Sequence, residues 1–145
     1  MRTALRAMVA GLLLASPTLW AGAQLSFVRT ALKGGNPVTA LTCAHDDARA
    51  GECRVARARG SVVEKSVSLP LERAQALLAE AAAKLKPFAE AREPAAPGRT
   101  CRLQWTVSES RQEYRGCVPA QGNVDHRLVR TLMALEHRLD AELAR

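Results

Sequence analysis

The segment from Thr42 to Cys53, TCAHDDARAGEC, brings together cysteine, histidine and aspartate, which are residue types that bind metals or transfer protons. Cys43 and His45 are separated by a single residue, whereas paired ligands of structural zinc sites are separated by roughly two to four residues. Cys53 has no second cysteine or histidine close to it on its C-terminal side. The spacing therefore does not favour a zinc site.

Two aspartates in the same segment, Asp46 and Asp47, are adjacent. In an extended chain their carboxylates point in opposite directions, so they do not share a cation. Asp46 and Gly51 are of the residue types that favour turns. We interpret the segment as a polar loop closed by a disulfide, with no bound metal and no cofactor.

Residues 1–23 have the features of a cleavable signal peptide. Arg2 and Arg6 precede a short apolar run, and small residues precede a cleavage point after Ala23. The apolar run is shorter than the ~20 residues that a membrane-spanning helix needs. We therefore predict that residues 1–23 are removed, and that residues 24–145 form one periplasmic or secreted domain without a membrane span.

All four cysteines of the chain lie in this predicted mature part. An even number of cysteines in a short exported chain is typical of a disulfide framework, and three pairings are open. Sequential pairing, Cys43 with Cys53 and Cys101 with Cys117, is favoured because each pair encloses a short segment that a local turn can close. Each closure stabilises the domain by roughly 2–3 kcal/mol in the chain-entropy model.

The predicted mature chain is basic, because the loss of two arginines with the signal peptide lowers the formal net charge only from +7 to +5. A basic cluster attracts an acidic surface, and nucleic acid is not expected outside the cytoplasm. An acidic protein face, anionic lipid headgroups and a cell-wall polymer remain open, as does a merely solvated strand. The predicted partner-binding residues are the loop side chains and the arginines around them, namely His45, Asp46, Asp47, Arg49, Arg54, Arg57 and Arg59.

Four segments rich in β-forming residues and bounded by turn residues predict strands over 25–32, 38–44, 53–59 and 62–69. The third carries arginine on both faces, which indicates a position near the edge of a sheet. Cys101 begins a further alternating strand, and EYRGC returns to Cys117. If these two cysteines lie opposite each other, Trp105 faces Glu113, and we predict that Trp105 is part of the core.

Two segments have helical periodicity. The first is predicted to start with Ser68 as its cap and to end at Pro87, with an apolar stripe of Leu71, Ala74, Leu78, Ala81, Ala82 and Leu85. The second is predicted to be capped by Asn123 or Asp125, with a stripe of Val124, Leu128, Thr131, Leu132, Leu135, Leu139 and Leu143. Together these elements predict an α+β fold, a small two-layer sandwich of an antiparallel sheet and two amphipathic helices with two disulfides.

The chain has no recognisable catalytic motif. His45, His126 and His137 are scattered, and there is no nucleophile elbow, zinc-protease motif or phosphate-binding glycine loop. The sequence favours a non-catalytic binding protein of inhibitor or immunity-protein type, acting on a partner protein with an acidic face. A small cell-envelope enzyme or ligand carrier that uses His45 and Asp46 is the alternative from another class.

The stretch NPVTALTCA, followed by GEC, resembles the first disulfide region of the subtilisin-inhibitor-like family. Members of that family are secreted, carry two disulfides and block proteases with an exposed loop. In the family the third cysteine is followed by proline and then by the residue that enters the protease pocket, which corresponds here to Arg102 and Leu103. The resemblance implies a secreted protease inhibitor, in which arginine replaces that proline.

Overall fold

The computed structural model describes residues 23–31, 34–44, 52–90, 100–109 and 111–145. This part of the chain forms a six-stranded antiparallel sheet with two α-helices on one face. The arrangement, with its two disulfides, confirms the predicted α+β class. In chain order the elements are β1 (Gln24–Arg29), β2 (Pro37–Cys43), β3 (Cys53–Arg59), β4 (Val62–Leu69), α1 (Leu71–Leu85), β5 (Cys101–Glu109), β6 (Gln112–Pro119) and α2 (His126–Leu143).

The strands are ordered β4-β3-β2-β1-β5-β6 across the sheet, and every neighbouring pair is antiparallel. The first four strands form consecutive hairpins. The segment that contains α1 then carries the chain from the edge strand β4 across the sheet to β5. β3 lies next to this edge strand, which agrees with the predicted position near an edge.

The first strand is shorter than predicted, because it ends at Arg29 and the turn has begun by Ala31, whose N–H donates to Asn36 Oδ1 at 3.0 Å. Gly35 in this turn has a φ of 82°. A Cβ atom there would lie 2.7 Å from the backbone nitrogen of Gly60, in the β3–β4 turn. The two turns therefore touch at Gly35, where there is no room for a side chain, and Gly60 on the other side has a φ of 60°.

The first helix differs from the prediction at its start. Ser68 is still part of β4, and α1 begins after Pro70 without a side-chain cap. Proline suits this place because its fixed φ is compatible with a helix entry and the N–H it lacks has no helical partner. Leu71 is 39% exposed, and Leu77 is buried in its place. The helix ends at Leu85, and Lys86–Phe88 forms a 3₁₀ turn that includes the predicted breaker Pro87.

The second helix is capped by Asp125, one of the two predicted caps, whose carboxylate accepts a hydrogen bond of 2.9 Å from the Arg127 N–H. Hydrogen bonds from the Arg127 side chain and backbone hold the pKa of Asp125 below its usual value. Five leucines of the predicted stripe are buried against the sheet, namely Leu128, Leu132, Leu135, Leu139 and Leu143.

The core lies between the helices and one face of the sheet, and it contains Trp105 as predicted. The partner of Trp105 on β6 is Gly116 and not Glu113. The prediction of Glu113 assumed that Cys101 lies opposite Cys117. It was wrong because Cys101 pairs with Pro119, and an irregularity between Cys101 and Leu103 shifts the register by one more residue. A Cβ atom on Gly116 would lie 2.5 Å from Cε2 of Trp105, so the indole ring packs directly on the glycine backbone.

Candidate functional site

The two disulfides have the predicted sequential pairing. Cys43 and Cys53 are register partners in β2 and β3, with their Cα atoms 4.0 Å apart. Cys101 and Cys117 are bonded diagonally, with a Cα–Cα distance of 5.5 Å, because Cys101 is the register partner of Pro119. The first disulfide is part of the hydrophobic core, whereas Cys117 lies outside that cluster. The cross-links therefore staple the sheet at two separate places.

The predicted partner-binding residues fall into two groups. His45, Asp46, Asp47 and Arg49 lie outside the described residues, although Ala44 N–H donates to the Glu52 carbonyl at 2.8 Å at the base of their loop. The three arginines of β3 are described. Within the described ranges, no group of three or more His, Cys, Asp or Glu side chains could hold a metal ion.

Two of the β3 arginines form ion pairs. Arg57 lies on the side of the sheet that the helices cover, and its guanidinium binds the carboxylate of Asp140 on α2. Arg59 lies 3.5 Å from a carboxylate oxygen of Glu64 on β4. Each charge is therefore offset by a carboxylate on a neighbouring element, and neither arginine is an unneutralised cation.

Arg54 lies on the opposite face of the same strand and is held differently. Its Nε donates to Ser66 Oγ at 2.9 Å, and its Nη1 donates to Ser68 Oγ at 3.3 Å, both on β4. No carboxylate among the described residues lies within ion-pair distance of it. Hydroxyl acceptors orient the guanidinium but do not offset its charge, so Arg54 is held in place without a carboxylate partner from the described residues.

The face that carries Arg54 is not covered by any helix or strand of the described chain, and we call it the uncovered face. Its middle row consists of small side chains that are register partners across five strands, namely Ser66, Ala56, Ala40, Ser26 and Thr106. All five are partly exposed. Side chains of this size leave a nearly flat surface, which suits contact with another macromolecule better than enclosure of a small substrate.

A second row of the uncovered face is more apolar. Ala58, Val38 and Val28 are register partners on β3, β2 and β1, and Val63 on the edge strand extends the row. Val63 is 61% exposed and its neighbour Val62 is 64% exposed. The face thus combines an apolar strip with a hydroxyl-rich strip and a restrained cation, which is a composition suited to recognition.

The two edge strands of the sheet, β4 and β6, differ in whether another described segment pairs with them. On β6, the carbonyl of Arg115 accepts a hydrogen bond of 2.9 Å from the Glu90 N–H, so the segment after α1 pairs with that edge. The described chain places no such segment beside β4. An irregularity opposite Arg57 and Ala58 interrupts the regular pairing of β4 with β3, and such irregularities discourage edge-to-edge pairing. The uncovered face therefore continues to an accessible edge at β4.

Sequence reasoning missed the uncovered face, although its signal was present. In β2 the residues Val38, Ala40 and Thr42 alternate with Thr39, Leu41 and Cys43, and the second set is the buried one. Small residues at alternate positions of successive strands indicate a face that no helix covers. The arginine cluster indicated a binding surface on β3, but the sequence did not show that Arg54 and Arg57 lie on opposite faces with different partners.

The residues implied by the inhibitor resemblance lie in β5. Leu103 is 5% exposed and packs in the core opposite Val118. A residue that enters a protease pocket must project from an exposed loop, and Leu103 does not. Arg102 is exposed beside the irregularity in β5.

Comparisons of this chain with protein-family models, with curated proteins and with solved structures give no match. Across the described helices, none is long and apolar enough to cross a membrane. The two disulfides are typical of proteins in an oxidising environment, such as the periplasm or the extracellular space.

Proposed function

We propose that this protein is an exported, non-catalytic binding protein that holds a partner protein with an acidic surface against the uncovered face. The observation that carries the proposal is the state of Arg54, which two serine hydroxyls hold in place and with which no carboxylate of the described residues forms an ion pair. A restrained guanidinium loses little conformational entropy on binding, and its hydrogen bonds to a carboxylate are charge-assisted.

The surroundings of Arg54 support the same function. Ala40 and Ala56 lie near it and project too little to obstruct an approaching surface. The apolar strip of Val28, Val38 and Val63 supplies area that gains free energy when it is removed from water. A partner with carboxylates beside an apolar patch would match both strips, and a protein that masks such a patch acts as an inhibitor or immunity protein.

Export of the protein is part of the proposal. The signal-peptide features of residues 1–23 and the two disulfides support it. The partner is then another protein of the periplasm or the extracellular space. The ionic strength of that compartment sets how far electrostatic attraction speeds the association of the two proteins.

The test is a capture experiment with surface variants. The disulfide-bonded protein is immobilised, exposed to an envelope extract under native conditions, and its retained proteins are quantified by mass spectrometry. We expect one acidic protein at near-stoichiometric amount. Arg54→Glu should weaken its binding by about tenfold or more, because one charge-assisted hydrogen bond accounts for that factor. Ala40→Tyr, which raises a ring from the flat surface, should also weaken it.

The matched control is Arg130→Glu, which makes the same change in net charge at an exposed position of α2. It should retain the partner like the parent protein. Equal retention by the parent and Arg54→Glu would refute the site. A loss as large in Arg130→Glu as in Arg54→Glu would show that net charge, and not the uncovered face, governs binding.

A further inference from the structure

A cavity of about 320 Å³ lies on the covered side of the sheet, between the first half of α2, the start of β5 and the end of β6. Leu103 and Val118, which are register partners, line it from the sheet. Val129, Leu132 and Met133 line it from the helix, where their spacing places them on one side of α2. The walls are therefore apolar on both sides.

Two arginines also line the cavity, and they differ in charge balance. Arg29 donates from Nε to Glu136 Oε2 at 3.3 Å, and its Nη2 binds the other oxygen of the same carboxylate. Arg102 is exposed, and no described carboxylate lies within ion-pair distance of it. Among the described residues, the cavity lining thus has one cation, Arg102, whose charge no carboxylate offsets.

The backbone that carries Arg102 is held on two sides. Its carbonyl accepts a hydrogen bond of 3.2 Å from the Thr30 N–H, next to β1. The preceding residue, Cys101, is bonded to Cys117 on β6. The guanidinium therefore extends from a fixed point at the rim of the apolar cavity.

We propose that this cavity binds a medium-chain fatty acid, with the hydrocarbon chain between α2 and the sheet and the carboxylate at Arg102. The volume is at the lower end of the range of roughly 300–1,000 Å³ for small-molecule pockets. One unneutralised cation suits one negative charge, and the apolar walls exclude a strongly hydrated anion such as phosphate. Met133, which is 59% exposed, provides a flexible side chain at the mouth. The site is separate from the uncovered face and does not depend on the proposed function.

The test uses octanoate, 1-octanol and octyltrimethylammonium as probes of equal chain length and different charge. Each is titrated into the disulfide-bonded protein, and the methyl resonances are followed by NMR. We expect saturable shifts at the methyl groups of Leu103, Val118, Val129 and Leu132. Octanoate should bind most tightly and octyltrimethylammonium most weakly.

Arg102→Gln should weaken octanoate binding by about tenfold, since it removes a charge-assisted hydrogen bond, and should leave 1-octanol binding unchanged. Arg130→Gln, an exposed position on α2 outside the cavity lining, should change neither. The proposal is overturned if shifts are absent or spread over the whole protein, or if octanoate binds the parent and Arg102→Gln equally. N-acetyl-Leu-Leu carries a carboxylate beside branched side chains, and tighter binding of this dipeptide would assign the site to a peptide C-terminus instead of a fatty acid.

Discussion

The covered and uncovered faces of the sheet are made by the same strands but have opposite chemistry. In β2, Leu41 is completely buried under the helices, while its neighbours Ala40 and Thr42 belong to the uncovered face. Successive side chains of a strand point to opposite faces, so one short segment supplies both surfaces. The covered face holds the domain together, and the uncovered face is the surface to which we propose that a partner binds.

The arginines on the two faces of β3 have different partners. On the covered side, carboxylates of α2 pair with arginines from β1, β3 and α1, giving Arg29–Glu136, Arg57–Asp140 and Arg73–Glu142. On the uncovered face, Arg54 has hydroxyl partners on β4, whereas Arg115, the register partner of Thr106, pairs with Glu113 at 3.0 Å. The difference teaches that an arginine cluster in a sequence can contain both structural and available charges.

The two helices are joined by a further charged contact. Glu80 on α1 accepts a hydrogen bond of 2.8 Å from Lys84 and another from Arg138 on α2. The hydrogen bond from Lys84 is the largest cause that holds the pKa of Glu80 below its usual value. The contact is partly exposed, so it orients the helices more than it stabilises them.

The strongest test of the comparison is a pair of neighbouring substitutions in β2. Leu41→Ala should lower the free energy of unfolding by about 2–5 kcal/mol, because it leaves a cavity in the core. Thr42→Ala removes an exposed side chain from the other face and should change stability by no more than about 0.5 kcal/mol. Urea unfolding of the oxidised protein measures both, and similar costs for the two variants would contradict the assignment of the faces.

A second test concerns the contact between Trp105 and Gly116. Gly116→Ala should destabilise the protein by about 1–3 kcal/mol, because the added methyl group overlaps the indole ring. In a Trp105→Phe background the smaller ring leaves more room, so the added cost of Gly116→Ala should fall. Thermal and urea unfolding of the four proteins in this double-mutant cycle measure the coupling. An unchanged cost in the Trp105→Phe background would show that the ring is not responsible.

The smallest expected effect separates the arginines of the two faces. Arg57→Glu places two carboxylates together at Asp140 and should cost about 1 kcal/mol. Arg54→Glu loses only hydrogen bonds to exposed serines and should cost about 0.5 kcal/mol or less. Unfolding is measured at low salt and at about 1 M salt, where the screening of charges is nearly complete. The high salt concentration should reduce the stability cost of Arg57→Glu and leave that of Arg54→Glu unchanged. Restoration by Asp140→Arg in the Arg57→Glu protein is the control, and its failure would remove the ion-pair explanation.

Much of the fold could be predicted because its signals are local. The apolar period of α2 identified its five buried leucines, and Asp125 was one of two expected caps. The start of α1 could not be predicted as well, because Ser68 is a good cap residue whose strand pairing with Arg54 takes precedence. The register of β5 and β6 could not be predicted, because the disulfide joins Cys101 and Cys117 diagonally and an irregularity follows Cys101, and no local pattern marks either feature.

The candidate site was predictable only in part. Arg54 was among the expected partner-binding residues, but so were Arg57 and Arg59, which form ion pairs with Asp140 and Glu64. Asp140 is more than eighty positions from Arg57 in the chain, so no spacing rule connects them. The cavity near Arg102 likewise combines β1, β5, β6 and α2 and has no sequence signature.

By itself the sequence predicted most of the elements, favoured the sequential disulfide pairing and determined the basic character of this protein, because periodicity, turn chemistry and short cysteine separations act between near neighbours. Only the tertiary structure decided which face of the sheet the helices cover and which of the β3 arginines pair with a described carboxylate. Those outcomes depend on contacts between residues far apart in the chain, such as Arg57 with Asp140 and Trp105 with Gly116. Packing brings such residues together through the burial of whole apolar surfaces. The local sequence does not specify which of these surfaces will pack against each other.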